Sequence, residues 1–568
     1  RALASISVAE AAHQAAKAVA DRGATSLVVS VDARTGSLSV TNSASGDMVP
    51  VAWAHYNNSV EQNGWAYLSV AATEDPLVSR ELKMYAAGYL EGYVSAQQIK
   101  HFRHNANVLL QKEEERHHAL GNVRDMFATS LAKLCAGGGM APGAALNDAS
   151  APKDAWAAHA RYSLLQTWGI LDAYNARAGD VADKPMSMID LIILNSDGET
   201  PELEMAFDSE EYLLRQSKHD GTAEGDAFLQ RRASRIVSSV VPSKAVVAQR
   251  RKQEMDHLDE AAWRKIKASG GRCSALVRLT KNNKDLLVGH ATFSDYSEMT
   301  RVFKYYDLPL GGDSVRRMGF SSYPGVAGST DDYYLLDSGL VITETTISML
   351  TDEPYDKLDD QNLQVPDFMR IMMASRLAKT APEWAELMTK SASGTYSSQW
   401  MAVDYKAFTP GKPVQNGTLV VLEQVPGMSH WEDKSHHLQE KGYWGSENRA
   451  WFKSVRESIG ASDAEELHGA LFSADNNPRA NIFKATAPQV QSLADMRAEM
   501  RRNRWPHEVD GGESNSPDHA IAARGDLGDD HPDANGAVDA KLTNRCLAKR
   551  LACDAISGPT AATQAPFR

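Results

Sequence analysis

Gly270-Gly271-Arg272-Cys273-Ser274-Ala275-Leu276-Val277-Arg278-Leu279-Thr280, then Lys281-Asn282-Asn283-Lys284, then Asp285-Leu286-Leu287-Val288-Gly289-His290-Ala291-Thr292, is the stretch on which the fold depends. Two apolar runs flank four polar residues, which predicts an antiparallel hairpin. Thr280 then pairs with Asp285, and Ala275 with His290. Side chains alternate by face with period two, so Cys273, Ala275 and His290 share a face. Cys273 and His290 become diagonal neighbours, roughly 7–8 Å apart at Cα. A slip of one residue would put them on opposite faces. A buried, inert cysteine and a hydrogen-bonded strand histidine would give the same pattern, so spacing alone assigns no chemistry.

The residues before Cys273 supply a second signal. Segment 241–272 is charged and helix-prone from Lys244 to Lys267, with Arg250-Arg251-Lys252-Gln253-Glu254, and it ends in Ser269-Gly270-Gly271. It reads as an exposed linker, the kind of segment that proteases cut. A cut between Arg272 and Cys273 would leave a thiol and a free α-amine on one residue. Their reference pKa values, about 8.5 and about 7.7–8.0, are close. Such a pair is a self-contained nucleophile and base. An acyl transfer run this way needs donors for its oxyanion, from backbone N–H groups or an Asn side chain.

The whole chain narrows the class. It has 568 residues, 43% of them hydrophobic, with a net charge of −13 and a pI near 5.7. The length allows several domains. No basic patch stands out, which argues against nucleic acid as a partner. No run of eighteen apolar residues predicts a membrane span. Four cysteines are too few for a disulfide scaffold. Cys546 and Cys553 lie close enough in sequence to be a candidate disulfide, which leaves Cys135 and Cys273 as lone thiols. Asn57-Asn58-Ser59 and Asn416-Gly417-Thr418 are glycosylation sequons, meaningful only on the secretory route. Arg1-Ala2-Leu3-Ala4-Ser5 reads as the remnant of a removed signal peptide.

Along the chain, helices are expected over 7–21, from Pro76 to about Gln111 with interruptions near Gly88 and Gly92, and over 154–175. Further helices are expected over 366–379, 382–390 and 485–501. Strands are expected at Ser26–Asp32, Ser37–Asn42, Gly64–Val70, Gly339–Thr346, Gln399–Tyr405 and Gly417–Gln424. Ile189–Leu194 is an apolar run closed by the turn signal Asn195-Ser196-Asp197-Gly198. Residues 136–153 and 506–540 read as loops. Strand clusters and helix clusters without βαβ alternation indicate layered α+β packing.

Motifs along nearly the whole chain resemble the phospholipase B-like family of lysosomal proteins, the lamina-ancestor group. They are Cys273-Ser-Ala-Leu-Val277, Gly289-His290-Ala-Thr292, Phe320-Ser-Ser-Tyr-Pro-Gly325, Asp331-Asp332-Tyr-Tyr-Leu-Leu336 and Ser338-Gly-Leu-Val-Ile-Thr-Glu-Thr-Thr346. Ser393-Gly-Thr-Tyr396, Leu422-Glu-Gln-Val-Pro-Gly427, Gly442-Tyr-Trp444 to Asn448 and Ile556-Ser-Gly-Pro-Thr560 follow in order. Ala87-Gly-Tyr-Leu-Glu-Gly92 and Asp190 to Asn195 belong to the same set. The resemblance implies an N-terminal-nucleophile (Ntn) hydrolase, an α+β αββα four-layer sandwich that cuts itself before the cysteine. Residues 1–240 and 273–568 would then be two chains of one folded unit, with 241–272 as the processed linker. Cys273 would be the nucleophile, with His290, Thr346 and Asn448 lining the site. We expect Asn448 to donate to the oxyanion and His290 to contact substrate or water. The substrate would be a phospholipid or an acylated small molecule, with no cofactor or metal. The place would be the lysosome or the outside of the cell, and the oligomeric state is left open. Two positions depart from the family pattern: Phe293 stands where Trp is usual, and Ser397-Ser398 where Asn-Asn is usual. They leave room for a second expectation, a non-catalytic lysosomal binding protein that keeps the fold.

Other motifs carry less. Gly312-Asp313-Ser314-Val315 has the letters of one lipase block, but in mid-chain rather than near a start. His117-His118 and His436-His437 are adjacent pairs, and adjacent residues on a helix point apart, so a solvated surface is expected. His519 and His531 lie among Asp residues without metal-ligand spacing. Arg524-Gly525-Asp526 is expected to be a loop tripeptide.

Overall fold

A computed structural model describes residues 25–32, 38–43, 48–136 apart from 118–119, 154–207 and 273–558, with short gaps at 313, 352, 359–364, 507–515, 528–531 and 533, and also residue 564. The expected helix over 7–21 and the charged segment 241–272 lie outside the described residues.

The N-terminal part contributes β1 (Thr25–Asp32), β2 (Leu38–Thr41), β3 (Met48–Ser59) and β4 (Trp65–Ala72). After the charged segment come β5 (Cys273–Leu279), β6 (Leu286–Asp295), β7 (Arg301–Asp307), β8 (Arg317–Ser322), β9 (Tyr333–Leu336) and β10 (Leu340–Thr346). Then follow β11 (Ser398–Asp404), β12 (Leu419–Val425), β13 (Met428–Asp433), β14 (Tyr443–Ser446), β15 (Asn535–Ala537), β16 (Asp539–Asn544) and β17 (Asp554–Ser557). Eleven strands form one sheet in the order β13-β12-β11-β10-β9-β8-β7-β4-β3-β1-β2. The smaller sheet runs β14-β5-β6-β16-β17, with β15 alongside β6. The two halves of the sequence meet inside the large sheet, where β4 pairs with β7 in parallel from Trp65↔Arg301 to Ala71↔Asp307.

The expected hairpin is present in the expected register. Cys273 pairs with Thr292, Ala275 with His290 and Leu279 with Leu286, and the Thr280 N–H donates to Asp285 O. Alternation then sorts the core. Ala275, Val277, Leu279, Leu286 and Val288 face the large sheet, where they meet Phe303, Leu335, Val341, Met401 and Val421. From the opposite face of the small sheet, Leu276, Leu287, Ala291 and Leu542 pack on Phe483, Met496 and Met500 of the helices Pro478–Thr486 and Leu493–Met500. The far face of the large sheet, including Ala54, Leu68, Phe320, Ile342 and Trp400, packs on the helices Arg80–Val94, Ala155–Arg177, Asp367–Leu377 and Ala381–Met388. The order across the molecule is helices, large sheet, small sheet, helices.

Four expectations change on inspection. Gly88 and Gly92 do not interrupt a helix; they sit inside Arg80–Val94, where it crosses Ala155–Arg177 backbone to backbone. A Cβ on Gly88 would fall 1.9 Å from Gln166 O, and one on Gly169 would fall 2.1 Å from Tyr85 O. Glycine is there for closeness, not for a turn. The apolar run Ile189–Leu194 lies within a helix, Met188–Asn195, started by a capping box between Ser187 and Asp190. The single helix expected over 485–501 is two, because Pro488 cannot continue the first and Ser492 caps the second. The polar stretch 506–540 also contributes β15 to the small sheet. No described helix is long and apolar enough to cross a membrane.

Candidate active site

Cys273 is the first residue of β5 and is 3% exposed. Burial pushes its thiol well above the ordinary range, and the Glu344 carboxylate adds to this; the Phe293 N–H and the Lys541 ammonium oppose it. With its amide intact the residue is a protonated, weakly nucleophilic thiol.

Arg479, from the Pro478–Thr486 helix, ties the cysteine to the other expected residues. Its Nη1 donates to Cys273 O at 2.7 Å and to Ser274 Oγ at 3.1 Å. Its Nη2 donates to Glu447 O at 2.8 Å and to Asn448 Oδ1 at 2.7 Å. The same guanidinium lies over the Phe293 ring, 5.5 Å from its centroid. Asn448, in the left-handed region at φ 65°, donates from Nδ2 to Thr346 O at 2.7 Å. These contacts fix the amide's orientation, because arginine only donates and a carbonyl only accepts. One Nδ2 hydrogen is used on Thr346, and the other has no acceptor among the described residues. The structure therefore brings Cys273, Thr346 and Asn448 together, with Arg479 as a linking residue that no sequence signal marked.

His290 is placed as the register requires, but its ring is engaged away from the thiol. Nε2 lies 2.8 Å from Glu344 O, so it carries the hydrogen, and Nδ1 faces Thr292 Oγ1 at 3.4 Å. Burial, helped by Lys541, holds its pKa well below the usual value. At 0% exposed, this neutral imidazole joins the hairpin to β10. Both ring nitrogens thus have protein partners, Glu344 O and Thr292 Oγ1.

Beside it lies a fully buried charge cluster. Lys541 Nζ is 2.9 Å from Asp331 Oδ2 and 2.9 Å from Asp539 Oδ1, and it donates to Thr292 Oγ1 at 2.5 Å. Arg301 pairs with Asp331 and with Asp539. Two cations and two carboxylates cancel, which is how such charges are tolerated out of water. Burial alone would raise the Asp331 carboxyl, but Arg301 and Lys541 hold it well below the usual range. On the other side, Tyr396 Oη lies 2.9 Å from Asp332 Oδ2 and 2.7 Å from Glu344 Oε2. Glu344 had a legible signal, since an acid inside an apolar strand run must find partners; Asp331-Asp332, in the turn before β9, had a weaker one. Ser397, at a departure position, is held by Glu202, which accepts from both its N–H and its Oγ at 2.8 Å.

Among the remaining candidates, Arg272 lies outside the described residues. Cys546 and Cys553 are both free thiols. Cys546 is exposed and accepts from Arg550 Nη2 at 3.1 Å, whereas Cys553 packs against the core between the sheets, so the expected pairing is not made. Asn416 is exposed in a turn, whereas Asn57 is half-buried in β3. Ser314 Oγ is 3.0 Å from His159 Nε2, but among the described residues no carboxylate orients that imidazole as a triad needs. Burial, with Arg376 and Arg80 nearby, pushes His159 down to about 3. His117-His118 falls outside the described side chains. His436 is exposed as expected, but His437 is wedged between Trp444 and Trp451. Arg524 is buried and forks onto Asp526, so that tripeptide is closed on itself. Among the described residues no cluster of His, Cys, Asp and Glu is arranged to hold a metal.

Comparison with known proteins agrees with the motifs. The family model Phospholipase B matches residues 52–568. Phospholipase B-like protein B of Dictyostelium discoideum is 29% identical over 529 residues, covering 92% of this chain and 82% of that protein. Phospholipase B-like 2 of Homo sapiens is 30% identical over 567 residues, covering 95% of this chain and 85% of that protein.

Proposed function

The chain belongs to the phospholipase B family, and from that premise we propose that it is an N-terminal-nucleophile hydrolase of carboxylic ester or amide bonds. Its substrate is an acyl lipid such as a phospholipid, or an acylated amine. The order helices, sheet, sheet, helices supports the αββα class. The observation that carries the reading is the placement of Cys273 at the head of β5, linked through Arg479 to Asn448.

Two acyl transfers follow from that geometry. In the uncut chain, Cys273 Sγ attacks the Arg272 carbonyl carbon, and the C–N bond breaks with the thiol proton passing to the departing nitrogen. Water then cleaves the thioester, giving the Arg272 carboxylate, a free thiol and a free α-amine. In the mature protein the α-amine takes the thiol proton and the thiolate attacks the substrate carbonyl. The second Nδ2 hydrogen of Asn448 is suited to the developing oxyanion. The leaving alcohol or amine takes the proton back, and water releases the acid. Thr346 holds Asn448 through its carbonyl, and His290 holds β10 against the hairpin. Processing, glycosylation at Asn416, and lysosomal or secreted delivery belong to the same proposal; the half-buried Asn57 is the poorer acceptor.

Intact mass and N-terminal sequencing after exposure to acid pH test it. Two chains are expected, the second beginning at Cys273, and Cys273→Ala stays whole and inactive. Processing and hydrolysis that both persist in Cys273→Ala would refute the reading. The burial of the thiol favours a second reading, a binding protein that retains the fold. Labelling of Cys273 by a thiol probe far faster than Cys135 in the mature protein decides against it.

A further inference from the structure

Two carboxyl groups converge on one hydroxyl, that of Tyr396, within electrostatic reach of the thiol. Asp332 and Glu344 are each 0% exposed, and both lie within hydrogen-bond distance of Tyr396 Oη, at 2.9 and 2.7 Å. A phenol has a single O–H hydrogen, and an ionised carboxylate can only accept. Tyr396 can satisfy one of them. The other contact needs a hydrogen from the carboxyl side. An ionised phenol would need two such hydrogens. Every arrangement that fills both contacts therefore places a proton on the carboxyl pair.

We propose that Asp332 and Glu344 share one proton across the Tyr396 hydroxyl, and that loss of this proton suppresses the thiolate of Cys273. The second half rests on Cys273 being the nucleophile; the first does not. The neighbouring charges favour the arrangement. The charged groups bearing most on Asp332 are Glu344, Asp331 and Asp367, all acidic. Arg301 and Lys541 are committed to Asp331 and Asp539. His290 is neutral, and it meets the backbone carbonyl of Glu344. Burial followed by repulsion from Glu344 raises the Asp332 carboxyl well above its usual range, in keeping with a retained proton. Glu344 and Asp332 both act on Cys273, against Lys541. Tyr396 and Arg479 also bear on that thiol. With one proton the pair carries a single negative charge; without it, two, set against the sulfur.

The test uses the full chain with Cys273→Ala for spectroscopy and the mature protein for reactivity. Infrared difference spectra at pH 7, parent minus Asp332→Asn and parent minus Glu344→Gln, are each expected to show the deuterium-sensitive carbonyl band of a protonated carboxyl. Either amide leaves the remaining carboxylate free to ionise and accept from Tyr396. Absence of that band from both differences overturns the shared proton. For the coupling, iodoacetamide alkylation of Cys273 is followed against pH. Parent and Asp332→Asn are expected to agree at pH 5 and to separate several-fold by pH 9, the variant reacting faster. Coincident curves overturn the coupling. A Cys273 that resists iodoacetamide at every pH sinks the nucleophile reading, while the infrared difference still decides the shared proton.

Discussion

Replacing Arg479 by Met isolates what holds the site together. The guanidinium donates to Cys273 O, Ser274 Oγ, Glu447 O and Asn448 Oδ1, and it is buried deeply enough that its pKa is pushed down to about 10. A hydrogen bond to a charged donor contributes roughly 1.5–3 kcal/mol. Met keeps most of the apolar stem and removes the burial cost of the charge, which offsets part of the loss. The guanidinium's partners are neutral acceptors, and leaving a buried acceptor without a donor costs about 1–3 kcal/mol; a fall of that order in unfolding free energy is expected by denaturant titration. The larger effect falls on Asn448. Without a donor on Oδ1 the amide is held by Thr346 O alone, and the hydrogen proposed for the oxyanion is no longer fixed in place. Loss of one such donor costs about 10²–10³ in rate. Arg479→Met is therefore expected to slow both processing at Cys273 and turnover by that factor, with the fold kept by circular dichroism. A variant destabilised as predicted yet processed within about two-fold of the parent rate would refute the link between Arg479 and the Asn448 donor.

Gly88→Ala puts a methyl where only 1.9 Å separates it from Gln166 O, so the helix pair must part; a loss of about 1–3 kcal/mol is expected for overpacking, and an unchanged denaturation midpoint would disprove the close crossing. Glu423 and Glu447 are raised by burial from 4.5 to about 7. Each keeps its proton in the fold while the unfolded chain releases it, so their contribution is full below about pH 4.5 and lost as pH rises through about 7, a change of roughly 3 kcal/mol per group. Stability measured at pH 5 and pH 8 should differ less in Glu423→Gln and Glu447→Gln than in the parent, and equal pH dependence would count against it. Lys541→Met leaves Asp331 and Asp539 with Arg301 alone. A destabilisation of about 3–5 kcal/mol is expected, partly recovered by adding Asp539→Asn, and no recovery in the double variant would show that the cluster is not coupled.

The hairpin was readable because register follows from alternation and from a four-residue connection, both local properties. The paired acids were half-readable. Glu344 sits inside an apolar strand run and Asp331-Asp332 border one, which says that partners exist without saying which. Asp331 takes its cations from Arg301, on β7 of the same sheet, and from Lys541, on a strand of the smaller sheet that reaches it only after the two sheets have stacked. Arg479 lies in a helix with no pattern pointing to Cys273, about two hundred residues away in sequence. His290 shows the reverse limit: its face followed from the register, but the hydrogen bond that occupies its ring depends on β10, which no local pattern brings there. Gly88 and Gly92 were read as breaks because glycine weakens an isolated helix; only the partner helix reveals the reason for them.

The parallel pairing of β4 with β7 sets an order of events. Trp65 to Ala71 and Arg301 to Asp307 are woven into one sheet from opposite sides of the charged segment. While the backbone is continuous, finding that pairing is a search within a single molecule. Once a bond between the two halves is broken, the same pairing becomes an encounter between two molecules, with the loss of translational freedom that entails. Under the proposed processing, assembly precedes cleavage and the cut acts as a ratchet: a cut molecule that has been fully unfolded has lost the tether that let it form.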